Sequence, residues 1–336
     1  MMITIGRSVN LVSAEPSMTA NQTFSPSTVA GIACGMGAGL LWGLVFLAPE
    51  LVQGFGPLEL AAGRYLAYGA ISLALIAPRW SSLSPRITRR EWAALLWLAL
   101  VGNTLYYILL TSAVQTGGIA MTSLVIGFLP VAVTIIGSRD RDAVPLGKLL
   151  PSLLACAAGA ICIGWQAFAA PRADGAALIG LICAIGALIS WTTFAVGNSR
   201  WLGRLHDVPA QDWNLLTGLV TGAQAVLLIP FAVMLSSAPH DSMAWANFAG
   251  VAIGVAVLAS VVGNGLWNRM SRLLPLTLTG QMILFETVFA LIYGFLWEQR
   301  LPTSLEISAF LFLVLSLLLC ISAHRRPEHS IAHAAP

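Results

Sequence analysis

Between Trp92 and Ser138 the chain runs for 47 residues without an Asp, Glu, Lys or Arg. As a single helix this run would measure about 70 Å, more than twice the ~30 Å hydrocarbon core of a bilayer. It must fold back on itself, and Gln115-Thr116-Gly117-Gly118 is the predicted turn. The same length rule predicts ten apolar helices, over 28–48, 57–78, 91–114, 118–138, 147–169, 175–197, 212–236, 246–270, 275–296 and 304–323. The expected fold class is an all-α integral membrane protein.

Composition agrees with this reading. Hydrophobic residues make up 57% of the chain and charged ones 9%, against roughly 25% charged in a soluble domain. An ordinary cytosolic enzyme is excluded. The basic residues are almost all arginines spread along the chain, so no basic face exists for nucleic acid. Cys34, Cys156, Cys162, Cys183 and Cys320 fall in apolar runs without CxxC or Cys/His spacing, which predicts packing thiols and no metal site. The first 27 residues are polar and lack the pattern of a cleaved signal peptide, and the Asn21-Gln22-Thr23 triplet carries no weight.

Placing Lys and Arg by loop shows a strong asymmetry. Arg7, Arg79, Arg86, Arg89, Arg90, Arg139, Arg141, Lys148, Arg200, Arg204, Arg269, Arg272, Arg325 and Arg326 fall on the side shared by both termini, and only Arg172 and Arg300 on the other. Basic loops stay cytoplasmic, so both termini are expected there.

Three short echoes recur in order. Val101-Gly102-Asn103-Thr104-Leu105 matches Val262-Gly263-Asn264-Gly265-Leu266, Leu41-Trp42-Gly43 matches Ser190-Trp191-Thr192, and Val144-Pro145 matches Leu301-Pro302. They predict a polar tail over 1–27, a first five-helix repeat over 28–170, a second over 171–323 and a tail over 324–336. Because five is odd, the repeats enter the membrane from opposite sides. In secondary transporters such inverted repeats hold substrate near the midplane and rock around it.

The chain resembles the drug/metabolite transporter superfamily, in its ten-helix EamA-type branch, over roughly residues 28–323. The resemblance rests on Gly39-Leu40-Leu41-Trp42-Gly43, Leu60-Ala61-Ala62-Gly63-Arg64-Tyr65-Leu66, Phe128-Leu129-Pro130-Val131, Leu188-Ile189-Ser190-Trp191 and Phe285-Glu286-Thr287-Val288-Phe289. Within the superfamily it looks most like the bacterial aromatic amino acid exporters, partly through Leu266-Trp267-Asn268, which implies the inner membrane of a bacterium. It departs from the family pattern in two places. Thr287 stands where proline usually follows the acidic residue, and Ser138-Arg139-Asp140-Arg141-Asp142 replaces the expected Gly-Glu pair, of which the second half keeps the acidic residue, in Trp297-Glu298.

Polar side chains cost free energy in lipid unless they face a wet cavity or a protein partner, so polar stripes on apolar helices mark a pathway or interhelical glue. Ser260, Asn264, Asn268 and Ser271 lie on one helical face. The repeat sets Asn103 opposite Asn264, Tyr106 opposite Trp267 and Tyr107 opposite Asn268, and Asn103, Tyr107 and Thr111 form the matching stripe. Amides can bind an ammonium or carboxylate, and aromatic faces can stack on a ring. Glu286 is the only carboxylate near the middle of a predicted span, a candidate for binding a substrate ammonium or for proton coupling; Gln281 on the same span is a weaker candidate. Arg64 is either structural or a carboxylate binder. The repeat-related Trp42 and Trp191 either wall the cavity or pack the core, whereas Trp80, Trp92, Trp201, Trp213, Trp245 and Trp297 sit at span ends as expected interfacial anchors.

No catalytic constellation, metal ligand set or cofactor loop is present in the sequence, and the histidines lie in loops or the tail. The expected function is alternating-access export of a small molecule, favouring aromatic or large neutral amino acids, by a chain whose partners are that substrate and membrane lipid and for which a monomer suffices. One rival is a multidrug or purine-type exporter exchanging cations for protons at Glu286. The other is a non-transporting membrane sensor.

Overall fold

The computed structural model describes residues 25–117, 122, 125–139, 144–169, 176–236, 239–299 and 301–324. The N-terminal tail with Asn21, the 140–142 stretch, Arg172, Arg300, His329 and His333 lie outside these residues. In chain order the helical segments are α1 (Pro26–Leu51), α2 (Pro57–Arg86), α3 (Arg89–Gly117), α4 (Leu129–Gly137), α5 (Leu146–Ala169), α6 (Ala176–Leu202), α7 (Ala210–Leu235), α8 (Ser242–Leu273), α9 (Leu276–Trp297) and α10 (Ser304–Ala323). Among the described residues there is no strand, and eight helices are long and apolar enough to cross a membrane.

The helix starts follow from local sequence. Lipid offers no acceptor for the free N–H groups of a helix's first turn, so each must be capped at the boundary. Ser25 caps α1 ahead of Pro26, and Asp241 accepts from the Ala244 N–H at 2.7 Å to cap α8. Thr88 with Glu91 and Thr303 with Glu306 form capping boxes on α3 and α10. Glu59 reaches back to the Gly56 N–H at 2.7 Å beside Pro57 at the start of α2.

Three irregularities were not expected from periodicity. The predicted turn at Gln115 and Thr116 stays helical: Thr116 Oγ1 donates to the Ser112 carbonyl at 2.6 Å and Gln115 Nε2 reaches the Phe55 carbonyl at 3.0 Å. Those bonds satisfy both side chains without breaking the helix. Both α3 and α8 contain a π-helical stretch, over Leu100–Thr104 and Ala256–Gly263. Finally, α9 is interrupted at Ile283, between Leu276–Met282 and Leu284–Glu298, so the break that proline usually supplies occurs here without it.

The helices pack in a regular pairing. α2 lies along α7, α5 along α10 and the first part of α9 along α4, while α3 packs on α6 and α1 on α8 and α9. At the α2–α7 crossing Gly69 faces Gly222, and a Cβ on either would lie 2.6 Å from the other's Cα. Only glycine permits that approach. Between α5 and α10, Ser152 Oγ donates to the Ser316 carbonyl at 2.8 Å and Ser316 Oγ donates to the Ser152 carbonyl at 2.7 Å.

Candidate functional site

A π-helical stretch leaves carbonyls without their usual helical donors, and in a membrane these must find side-chain partners. In α8, the Ala259 carbonyl accepts from Trp42 Nε1 at 3.0 Å, and Asn214 Nδ2 donates to the Val261 carbonyl at 2.9 Å and the Ser260 carbonyl at 3.3 Å. In α3, the Val101 carbonyl accepts from Ser190 Oγ at 2.6 Å and the Asn103 carbonyl from the Tyr65 hydroxyl at 3.0 Å. These bonds draw α1, α2, α6 and α7 onto the two irregular helices. Asn103 sits in one of the widened turns and Asn264 directly after the other.

Between these helices lies a cavity of about 30 Å³, room for one or two water molecules. Its wall includes Trp42, Asn103, Tyr106, Trp191, Asn264 and Glu286 from the sequence-predicted set, together with Arg64. Trp42 Nε1 also donates to Asn264 Oδ1 at 3.1 Å, and Asn103 Nδ2 donates to Thr221 Oγ1 at 3.0 Å. Arg64 Nε donates to Ser260 Oγ at 3.2 Å, and its guanidinium carbon stands 4.5 Å from the centre of the Tyr107 ring and 5.2 Å from that of Tyr65. One cation and one carboxylate thus share a small chamber with five aromatic rings on its wall. Gly39 lets α1 approach there: a Cβ on it would meet the Glu286 backbone nitrogen at 2.7 Å.

The indoles of Trp42, Trp191 and Trp267 form a three-ring cluster with centroids 5.1–5.7 Å apart, and Tyr106 and Phe194 border Trp191. Trp267 is 1% exposed and its Nε1 has no acceptor among the described residues. Tyr107 and Trp267 therefore form a second layer behind the wall. Two other predicted residues lie in networks of their own. Asn268 accepts from Asn198 Nδ2 at 2.8 Å, and Gln281 Nε2 donates to Thr134 Oγ1 at 3.1 Å beside Ser152 and Ser316. Both arrangements join helices.

Trp213 differs from its expected role as an interfacial anchor. It is fully buried, stacks on Trp201 and donates Nε1 to Asn198 Oδ1 at 2.9 Å, because its position in the first turn of α7 faces α6 and not lipid. Sequence reasoning also missed Tyr65, Val45, Gly102 and Phe194 on the cavity wall. The signal for Tyr65 was its place beside Arg64; the others are apolar and carry none.

At one end of the bundle Phe55 stacks on His240 at 3.9 Å and on Phe248 at 4.4 Å, with Trp245 edge-on. At the opposite end the Asn198–Asn268–Trp213 network and Arg272, which donates to the Leu205 carbonyl at 2.8 Å, tie α6, α7 and α8 together. Each end of the bundle is thus tied by packed side chains.

Known proteins resolve the family. The EamA-like transporter family matches residues 29–165. The inner membrane protein YtfF of Escherichia coli (strain K12) is 31% identical over 321 residues, covering 91% of this chain and 98% of YtfF. The chain belongs to the EamA-like transporter family. A solved crystal structure at 17% identity covers 89% of this chain and all of the other, with a TM-score of 0.68, and shares the fold. This EamA-like protein is thus a membrane transporter and not an enzyme.

Proposed function

We propose that this EamA-like protein exports small metabolites, chiefly aromatic or large neutral amino acids, across the inner membrane of a bacterium by alternating access. The observation that carries the reading is the cavity, where Arg64, Glu286, paired asparagines and an indole cluster converge. An amino acid needs a group for its carboxylate, one for its ammonium and an aromatic surface for its ring. In this reading Trp42, Asn103, Tyr106, Trp191, Asn264 and Glu286 touch substrate, Tyr107 and Trp267 support them, and Asn268 and Gln281 join helices.

The proposed architecture is ten crossings in two inverted repeats, 28–170 and 171–323, with both termini in the cytoplasm. Several features support it. Exchanging α1 with α6, α2 with α7, α3 with α8, α4 with α9 and α5 with α10 maps the most extensive helix pairings onto one another. The reciprocal Gly69–Gly222 and Ser152–Ser316 contacts are those expected on a pseudo-two-fold axis, and the π-helical stretches fall in exchanged helices. Rocking one repeat against the other would separate Trp42 from α8 and enlarge the cavity.

The test is efflux of labelled tryptophan, phenylalanine, threonine and alanine from proteoliposomes containing the purified chain, with and without a pH gradient. Aromatic-selective efflux is expected. Lipophilic-cation efflux without amino acid efflux would instead support the multidrug reading, which the lone carboxylate among aromatic rings favours, and acceleration by the gradient would make Glu286 the proton carrier.

A further inference from the structure

The two charged groups of the cavity are positioned differently. Arg64 is 7% exposed, and its guanidinium is held on two sides, by Ser260 at Nε and by the Tyr107 ring beneath it. With Nε occupied, the terminal amino groups are the part that can meet a carboxylate end-on. Glu286 is equally buried, opens the second half of the broken α9, and has no hydrogen bond to its carboxylate from another described residue. Both line one space that holds only one or two waters.

Resting on the amino acid exporter reading, we propose that Arg64 and Glu286 form a two-point receptor for a zwitterionic headgroup, with Arg64 binding the α-carboxylate and Glu286 the α-ammonium. One cation and one carboxylate on the same small wall match a ligand whose opposite charges sit on one carbon. A dication, a dicarboxylate or a molecule with a single charge leaves one receptor group buried without its counter-ion, which is costly. The ring then enters between the indoles of Trp42, Trp191 and Trp267, which pack edge-on and tilted against each other in the present conformation. Arg64, read from the sequence as either structural or carboxylate-binding, becomes a binding residue, and Ser260 and Tyr107 become the residues that position it.

The experiment is counterflow of labelled tryptophan into proteoliposomes of the full chain, competed by unlabelled tryptophan, tryptamine and indole-3-propionate. These share the ring and differ in the headgroup. Tryptophan is expected to compete at concentrations about ten-fold or more below either analogue, the size of one lost charge-assisted contact. In Arg64→Gln the preference for tryptophan over tryptamine is expected to fall towards one, and in Glu286→Gln the preference over indole-3-propionate. A purely structural arginine would lower transport and leave the ratio unchanged, which overturns the assignment. Should Arg64→Gln fail to fold, Arg64→Lys and the wild-type ratios still decide. Equal competition by all three compounds in the wild type overturns the two-point receptor while leaving amino acid export intact. Absence of tryptophan counterflow overturns the export reading and the receptor with it.

Discussion

Trp42 shares one indole N–H between two acceptors, the Ala259 carbonyl within the π-helical stretch and the side chain of Asn264. It is therefore both a cavity wall and a tie between α1 and α8. Trp42→Phe keeps most of the ring area and removes the donor, and Asn264→Ala removes the side-chain acceptor. Each is expected to lower tryptophan efflux several-fold while size-exclusion profile and folded yield stay near wild type; normal efflux in both would remove this stretch of α8 from the site. Truncating Trp267 to alanine is a poorer probe, because deleting so large a buried ring costs about 3–5 kcal/mol of stability. His324, just beyond α10, offers a different test. Its Nε2 meets Thr277 Oγ1 at 2.8 Å, and burial pushes its imidazole below the ordinary histidine range. The unfolded chain then binds more protons than the native one, so stability is complete above the unfolded value of ~6.5 and is lost as pH falls through it towards the folded one. His324→Gln, which does not titrate, should flatten the fall in Tm between about pH 7 and pH 5. At this scale the sequence was partly legible: Asn103, Asn264 and Glu286 stood out as polar residues in apolar runs. Tyr65 and Phe194 did not, since an aromatic in an apolar helix looks the same against lipid and against a cavity.

Elements were legible at their ends and opaque in their middles. Thr88 with Glu91 and Thr303 with Glu306 announce helix starts through the spacing of their side chains alone, and the helices begin there. The π-helical stretches depend on partners supplied by other helices, such as Asn214, Ser190 and Tyr65, and no local pattern encodes those. The break at Ile283 has the same character. Helix crossings lie between these extremes, because a glycine marks a possible close approach without naming the partner. Gly222→Ala would place a methyl against the Gly69 backbone, whereas a Cβ on Gly250 meets open space. The first substitution is expected to cost about 1–3 kcal/mol and lower Tm, and the second to leave Tm within error. Thermal unfolding of the two purified variants side by side checks this, and equal Tm values would refute the close α2–α7 contact.

For the whole molecule, the proposed inverted topology predicts which loops face which compartment. Reporter fusions ending after Arg86, Arg204 and Arg326 should be active on the cytoplasmic side, and fusions ending near Gln53, Asp174 and His240 on the opposite side. A fusion series that fails to alternate would refute ten crossings.

The chain alone determined that it is a membrane protein, where most of its helices run to within a few residues and which polar side chains need an explanation. These follow from hydropathy and capping, which act over a few residues and depend on solvent more than on partners. Tertiary structure decided which of those side chains share a cavity. Asn264 and Asn268 are one turn apart on α8, yet Asn264 borders the chamber and Asn268 is bonded to Asn198. Helix periodicity places both on one face; only the neighbouring helices decide whether that face meets a cavity or another side chain.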